Sequence, residues 1–175
     1  RPVEFEGRNS YRIQMGLYPQ ANEVYQKLNE LSRASKFTPE ESLIWSKFAS
    51  YWIQLDSLSS TNLKALNNDK TDAIMDSAKY YQYTQLKKIV NNRDEFNEQI
   101  LDSKGDSVSL VDYFNKWEQF EHYERNNAMV SNIIRTIDHL PNERFMLIVG
   151  YHHRYYIKKS LENKASHIKL VEFYK

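Results

Sequence analysis

No cysteine occurs in the 175 residues, which excludes disulfides, thiol nucleophiles and zinc–thiolate centres. Glycine and proline are scarce, with four of each. Phosphate-cradling loops need closely spaced glycines, and neither Gly-x-x-x-x-Gly-Lys nor Gly-x-Gly-x-x-Gly is present. The Gly-x-Ser-x-Gly elbow of serine hydrolases is missing too. No apolar run approaches the ~20 residues that cross a bilayer, and no signal-peptide pattern opens the chain. An excess of one charge is also lacking. The 24 basic and 23 acidic residues leave a formal charge of +1, so nucleic acid and anionic membrane find no general attraction. The pairs Lys87-Lys88 and Lys158-Lys159 read as solvated faces.

What is present fits a single domain over 1–175, with a mostly helical body (1–106) and a helix–strand–helix–strand unit (107–175). Residues 1–18 show no clean periodicity. Ala21, Val24, Tyr25, Leu28 and Leu31 recur at helical spacing and predict a helix over 20–33. Thr38-Pro39-Glu40-Glu41 carries a capping box with proline at the first helical position. The helix it opens, 39–57, carries Leu43, Ile44, Phe48, Tyr51, Trp52 and Leu55 on one side, a stripe that reads as core, with a ligand cage as the sharper alternative. Breaks are expected at Ser57–Ser60 and Asn67-Asn68 around a short helix, followed by helices over 71–90 and 91–101. Lys104-Gly105-Asp106-Ser107 reads as an interhelical loop.

A long helix is expected over 108–138, its apolar face slightly rotated in the middle, ended by Pro141-Asn142. The continuous apolar run Phe145–Val149 suits a strand buried on both faces. With a helix and a second strand at Ile168–Tyr174 it predicts a right-handed βαβ unit. The expected fold class is therefore α/β or α+β, predominantly helical, with a small sheet. Two strands are too few for a covered sheet. Either further strands lie in the N-terminal third or the sheet is completed by sequence before Arg1, and the start at Arg1 without an initiator methionine favours the second reading.

Histidines beside a strand end lie where α/β domains place chemistry. On an extended backbone His152 and His153 point to opposite sides, so one of them enters a given site. A neutral imidazole there ligates a metal or shuttles a proton, and Gly150 lets the chain turn or a ligand approach. The bland reading is two half-exposed loop histidines. Glu124, four residues from both Phe120 and Ala128, puts a carboxylate beside an apolar stripe. It must find a partner or shift towards its neutral form. It is a metal ligand, a general base, or one half of a structural pair with Arg125 or another cation. Glu118 and His122 share a helical face at chelating spacing, but without a His-Glu-x-x-His signature they read as a solvent-exposed pair. His139 is expected to meet carbonyls at a helix end, and His167 carries no special signal.

Tyr123-Glu124-Arg125-Asn126-Asn127-Ala128-Met129, then Phe145 to Gly150, then His153, resemble the C-terminal half of the TraB/Tiki-type superfamily, in particular its bacterial branch of uncharacterised domains. Leu170-Val171-Glu172-Phe173-Tyr174 fits its closing strand, and Arg8-Asn9 with Gln14-Met15-Gly16-Leu17 weakly echoes another stretch of that branch. The resemblance covers about the last 65 residues. It implies an α/β core in which two Gly-x-x-His motifs meet at a metal site, a divalent cation of unspecified identity. Tiki proteins are metal-dependent proteases. By position, Gly150 and His153 stand in the second motif, with Glu124, Arg125 and Asn126 as nearby polar partners and His152 where the family has a small residue. No histidine precedes His122, so the first motif has no counterpart in this chain.

The leading expectation is a TraB/Tiki-like, metal-dependent hydrolase domain. His153 would ligate metal or transfer a proton, Glu124 would be a ligand or base, and Arg125 would hold a carboxylate or an oxyanion. The alternative is a non-catalytic binding or interaction module that keeps the scaffold, consistent with the absent first motif and the aromatic-rich helices.

Overall fold

The computed structural model describes residues 3–140, 143–165 and 168–172, and among these, nine α-helices, two π turns, one 3₁₀ turn and one hairpin follow one another. Helix α1 (Arg8–Gln14) forms where no periodicity was evident, and α2 (Asn22–Arg33) buries Val24, Leu28 and Leu31 on the face their spacing predicts. Helix α3 (Pro39–Ser59) starts as expected. Thr38 accepts a hydrogen bond from the Glu41 amide, and the Glu41 carboxylate accepts one from the Thr38 amide at 2.8 Å. Its stripe is thinner than expected. Ile44 and Leu55 are buried, Phe48, Tyr51 and Trp52 are half-buried, and Leu43 is exposed. Asn62 caps the short α4 (Leu63–Leu66) and Asn68 caps α5 (Asp69–Tyr80).

Two π turns interrupt the longest helical runs. One, Tyr81–Gln85, joins α5 to α6 (Leu86–Asn92). The other, Gln119–Glu124, joins α7 (Leu110–Glu118), capped by Ser109, to α8 (Arg125–Asp138). The second accounts for the rotated apolar face: a π turn holds one residue more than an α turn. Buried positions run 110, 113, 114, 117, 118, 120 and 121, and the next is 126, one place later than the step of four from 121 would put it, followed by 129, 130 and 133.

Among the described residues the sheet is one antiparallel hairpin, β1 (Gln99–Leu101) with β2 (Ser107–Ser109), in the register Ile100 opposite Val108. A short 3₁₀ turn, Asp94–Asn97, precedes it, where a helix over 91–101 was expected. Lys104-Gly105-Asp106 is thus a hairpin turn rather than an interhelical loop. Gly16 packs against this turn at φ +72°, and a Cβ there would lie 1.9 Å from the Asp102 carboxylate.

The C-terminal βαβ unit does not form among the described residues. Its helix does, as α9 (Tyr151–Lys164). Residues 145–149 and 168–172 carry no strand pairing, and Phe145, Met146, Leu147 and Ile148 are exposed. An apolar run becomes a strand only when neighbours take its backbone groups and its two faces; here the described residues pair no strand with it. Pro141-Asn142, His167 and Phe173-Tyr174 lie outside the described residues.

The interior has three apolar clusters. The largest joins α2, α6 and α7 through Val24, Leu28, Leu86, Ile89, Leu110 and Phe114. Each such buried side chain contributes roughly 1.5–3 kcal/mol. Met129, Val130 and Ile133 of α8 pack on Ile157 and Leu161 of α9. Leu55 of α3 and Met75 and Ala78 of α5 pack on Tyr155 of α9. Helix α9 is therefore wedged between α8 on one side and α3 with α5 on the other. Where these two contacts meet, polar side chains gather. Among the described residues no helix is long and apolar enough to cross a membrane.

Candidate functional site

Helix α9 begins directly after Gly150, so its histidines occupy a first helical turn instead of a strand end. Gly150 has ordinary extended torsions, φ −60° and ψ 137°, and a Cβ there would meet only His153 at 3.8 Å. No sharp turn or close approach depends on it. His152 faces α3, its ring 5.4 Å from that of Trp52. His153 faces α8, with Nδ1 2.7 Å from Asn126 Oδ1. The buried Asn126 also donates from its amide to the His122 carbonyl at 2.7 Å.

His122 comes from the second π turn. It does not face solvent beside Glu118, as its spacing had suggested: its ring stacks on Tyr83 at 4.4 Å and its Nδ1 is buried without a partner. Glu118 is buried and bonded to Lys87 at 2.7 Å.

Lys79 stands between these groups. Its Nζ lies 4.9 Å from the Trp52 ring centre and 5.3 Å from that of Tyr83, and it donates to Gln82 Oε1 at 3.0 Å. It forms no ion pair among the described residues. Two cation–π contacts, each worth roughly 0.5–2 kcal/mol, and one bond to a neutral amide are weak compensation for an enclosed ammonium. Burial accordingly pushes Lys79 down to about 8, partly countered by Glu121 and reinforced by Arg125. Burial likewise lowers His122, His152 and His153 to about 4, with the Lys79 charge adding to each and Arg125 adding to His153. At pH 7 a group with that pKa is protonated in roughly one molecule in a thousand. The crevice thus holds three neutral imidazoles around one ammonium, and all four side chains are partly open to solvent.

Arg125 has its own partners. It forms a two-pronged pair with Glu4, at 2.9 and 2.6 Å, and bonds Glu121 at 2.8 Å; Glu121 is also held by Arg12 at 2.5 Å. Burial alone would raise the Glu4 carboxyl, but the Arg125 guanidinium and the Phe5 amide hold it down at about 2. This ladder ties the N-terminal segment to α8 and occupies the guanidinium that was expected to hold a substrate. Glu124 turns the other way. Its carboxylate accepts from the Tyr11 hydroxyl at 2.9 Å and from Gln119 at 3.5 Å.

The expected metal-ligand pair, His153 and Glu124, is therefore divided between separate networks. Among the described residues no three His, Cys, Asp or Glu side chains are grouped to hold a metal ion. The charges acting on His153 include the cations Arg125 and Lys79. This donor set does not fit a divalent cation. An open surface cleft of about 280 Å³, lined by Tyr18, Pro19, Gln20, Asn22 and Glu23, shares no residue with the crevice.

Sequence reasoning named His152, His153 and Asn126, of which the structure joins the last two, and did not place Lys79, Trp52 or Tyr83 beside the histidines. The signal for Lys79 was present, since it lies four residues after Met75 and four before Tyr83 on a helical stretch. The fold and site define a helical domain with a polar crevice built where two π turns and the start of α9 converge. No family model matches the chain, and no curated protein or solved structure matches it either.

Proposed function

We propose that this chain is a non-catalytic binding module, with the crevice between α3, α5, the second π turn and α9 as its ligand site. The observation that carries the reading is the grouping of Lys79, His122, His152 and His153, four half-buried polar groups from three separate stretches of chain. The protonation of the three imidazoles suits recognition better than catalysis, and of the four groups Lys79 alone, at about 8, lies near neutral pH. General acid–base groups work best with a pKa near the operating pH, whereas these imidazoles stay neutral and serve as hydrogen-bonding groups. Two π turns at the same place agree with this, because such turns recur at functional sites.

The test is a titration of histidine-labelled protein with a set of anionic, cationic and neutral aromatic fragments, read by imidazole NMR shifts. Saturable shifts at His122 and His152, with no fragment turned over, are expected. If no fragment moves these resonances, the binding reading fails.

A second reading, a TraB/Tiki-like hydrolase domain, is favoured by one contact. The Asn126–His153 hydrogen bond joins the Glu-Arg-Asn stretch to the Gly-x-x-His stretch in space. Elemental analysis of protein purified without chelators separates the two readings. A near-stoichiometric divalent metal that is lost in His153→Ala, together with hydrolysis of peptide substrates, would replace the binding module with the hydrolase.

A further inference from the structure

Two donors of the crevice, the Lys79 ammonium and the Trp52 indole, keep N–H groups without an acceptor among the described residues. Lys79 uses one of its three N–H groups on Gln82. The indole N–H of Trp52, whose ring lies beneath that ammonium, is buried without a partner. His122 Nδ1 is also buried without a partner, and it donates or accepts according to the tautomer. The bond that the Gln82 amide nitrogen donates to the Tyr25 hydroxyl at 2.5 Å fixes that amide with its oxygen towards Lys79, where it offers a neutral acceptor and no negative charge. Buried donors of this kind call for an acceptor, and an ammonium among them calls for an anionic one.

We propose that the crevice binds a monocarboxylate carrying a flat apolar group, with the carboxylate on the Lys79 ammonium and the Trp52 indole N–H. The inference rests on the binding-module reading above and names its ligand class. The charge balance selects one negative charge. Arg125, the other cation facing the histidines, already has Glu4 and Glu121, which leaves Lys79 as the crevice cation without a carboxylate among the described residues. A phosphate dianion would leave a surplus charge enclosed. The neighbouring rings select the rest of the ligand: Trp52, Tyr151 and His152 are half-buried and touch one another, and they offer aromatic edges to a flat apolar body.

The test uses phenylacetate, its neutral isostere phenylacetamide, phenethylamine and inorganic phosphate, each titrated calorimetrically into wild-type protein. Phenylacetate is expected to bind saturably and phenethylamine not at all. Binding should weaken about tenfold or more in Lys79→Met, as expected for loss of a charge-assisted bond. Trp52→Phe, which keeps a ring and deletes the N–H, should weaken it by a smaller factor. In wild-type protein labelled with ¹³C-lysine, the Lys79 side-chain resonance should move with the same saturation curve, a readout that survives any folding defect in the variants. Equal binding of phenylacetate and phenylacetamide would overturn the anion site while leaving the binding module standing. Phosphate binding that depends on Lys79, in preference to phenylacetate, would overturn the monocarboxylate. No binding by any of the four would overturn the ligand class, and the wider fragment titration would then decide the binding module itself.

Discussion

Asn126 fixes the tautomer of His153. Its amide nitrogen faces the His122 carbonyl, which can only accept, so the oxygen of the same amide faces His153 Nδ1. That oxygen also only accepts. The His153 proton therefore sits on Nδ1 and the lone pair on Nε2. One buried amide thus joins the second π turn to the first turn of α9 and orients an imidazole.

Replacing this amide should be felt in both places. Asn126→Ala leaves a carbonyl and an imidazole N–H without their partner, at a loss of about 2–3 kcal/mol. Urea denaturation should show that loss, and imidazole ¹⁵N shifts should show His153 becoming a mixture of tautomers. A wild-type tautomer pattern in the variant would mean that Asn126 does not orient the ring.

The three half-buried imidazoles set an acid limit on stability. Burial lowers each from 6.5 to about 4. Between those values the unfolded chain binds more protons than the folded one. The contribution is therefore complete above pH 6.5 and is lost as the pH falls towards 4. Allowing for partial exposure, the loss between pH 7.5 and 5.5 is roughly 1 kcal/mol per histidine. Denaturation at the two pH values checks it, and a protein equally stable at both would contradict the buried placement of these rings.

Ile148 separates the strand expected from the sequence from the structure observed. It is 83 % exposed, so Ile148→Asp should change stability by no more than about 0.5 kcal/mol. In a strand buried on both faces the same change would enclose an unpaired charge and unfold the domain. A thermal melt distinguishes the outcomes.

Lys79 should weaken the fold that holds it. Lys79→Met keeps the stem and deletes an enclosed cation without an ion pair, and should stabilise the protein by about 1–2 kcal/mol, or about 2–4 °C of Tm per kcal/mol at this chain length. A lowered Tm would show that its cation–π contacts outweigh its desolvation.

Local signals in the sequence were read well because their physics is local. The capping box at Thr38 and Glu41 and the spacing of Val24, Leu28 and Leu31 depend on neighbours a few residues away. The run Phe145–Val149 misled because a strand depends on a partner, which periodicity does not contain. The hairpin was missed for the converse reason: Gln99–Leu101 and Ser107–Ser109 are each three residues long, too short for alternation to register. At the site, the same argument that singled out Glu124, a charge beside an apolar stripe, applies with more force to Lys79. The meeting of Asn126 with His153 across 27 positions, and the capture of Arg125 by Glu4 across 121, follow only from packing.

The π turn at Gln119–Glu124 also acts as a phase setter for everything after it. Removing one residue from that turn would restore an ordinary α-helical path and rotate α8 by about 100° about its axis. Met129, Val130 and Ile133 would leave the face that meets α9, and Asn126 would swing away from His153. A single-residue deletion there would dismantle the crevice and one apolar cluster together, while leaving every side chain of α8 intact.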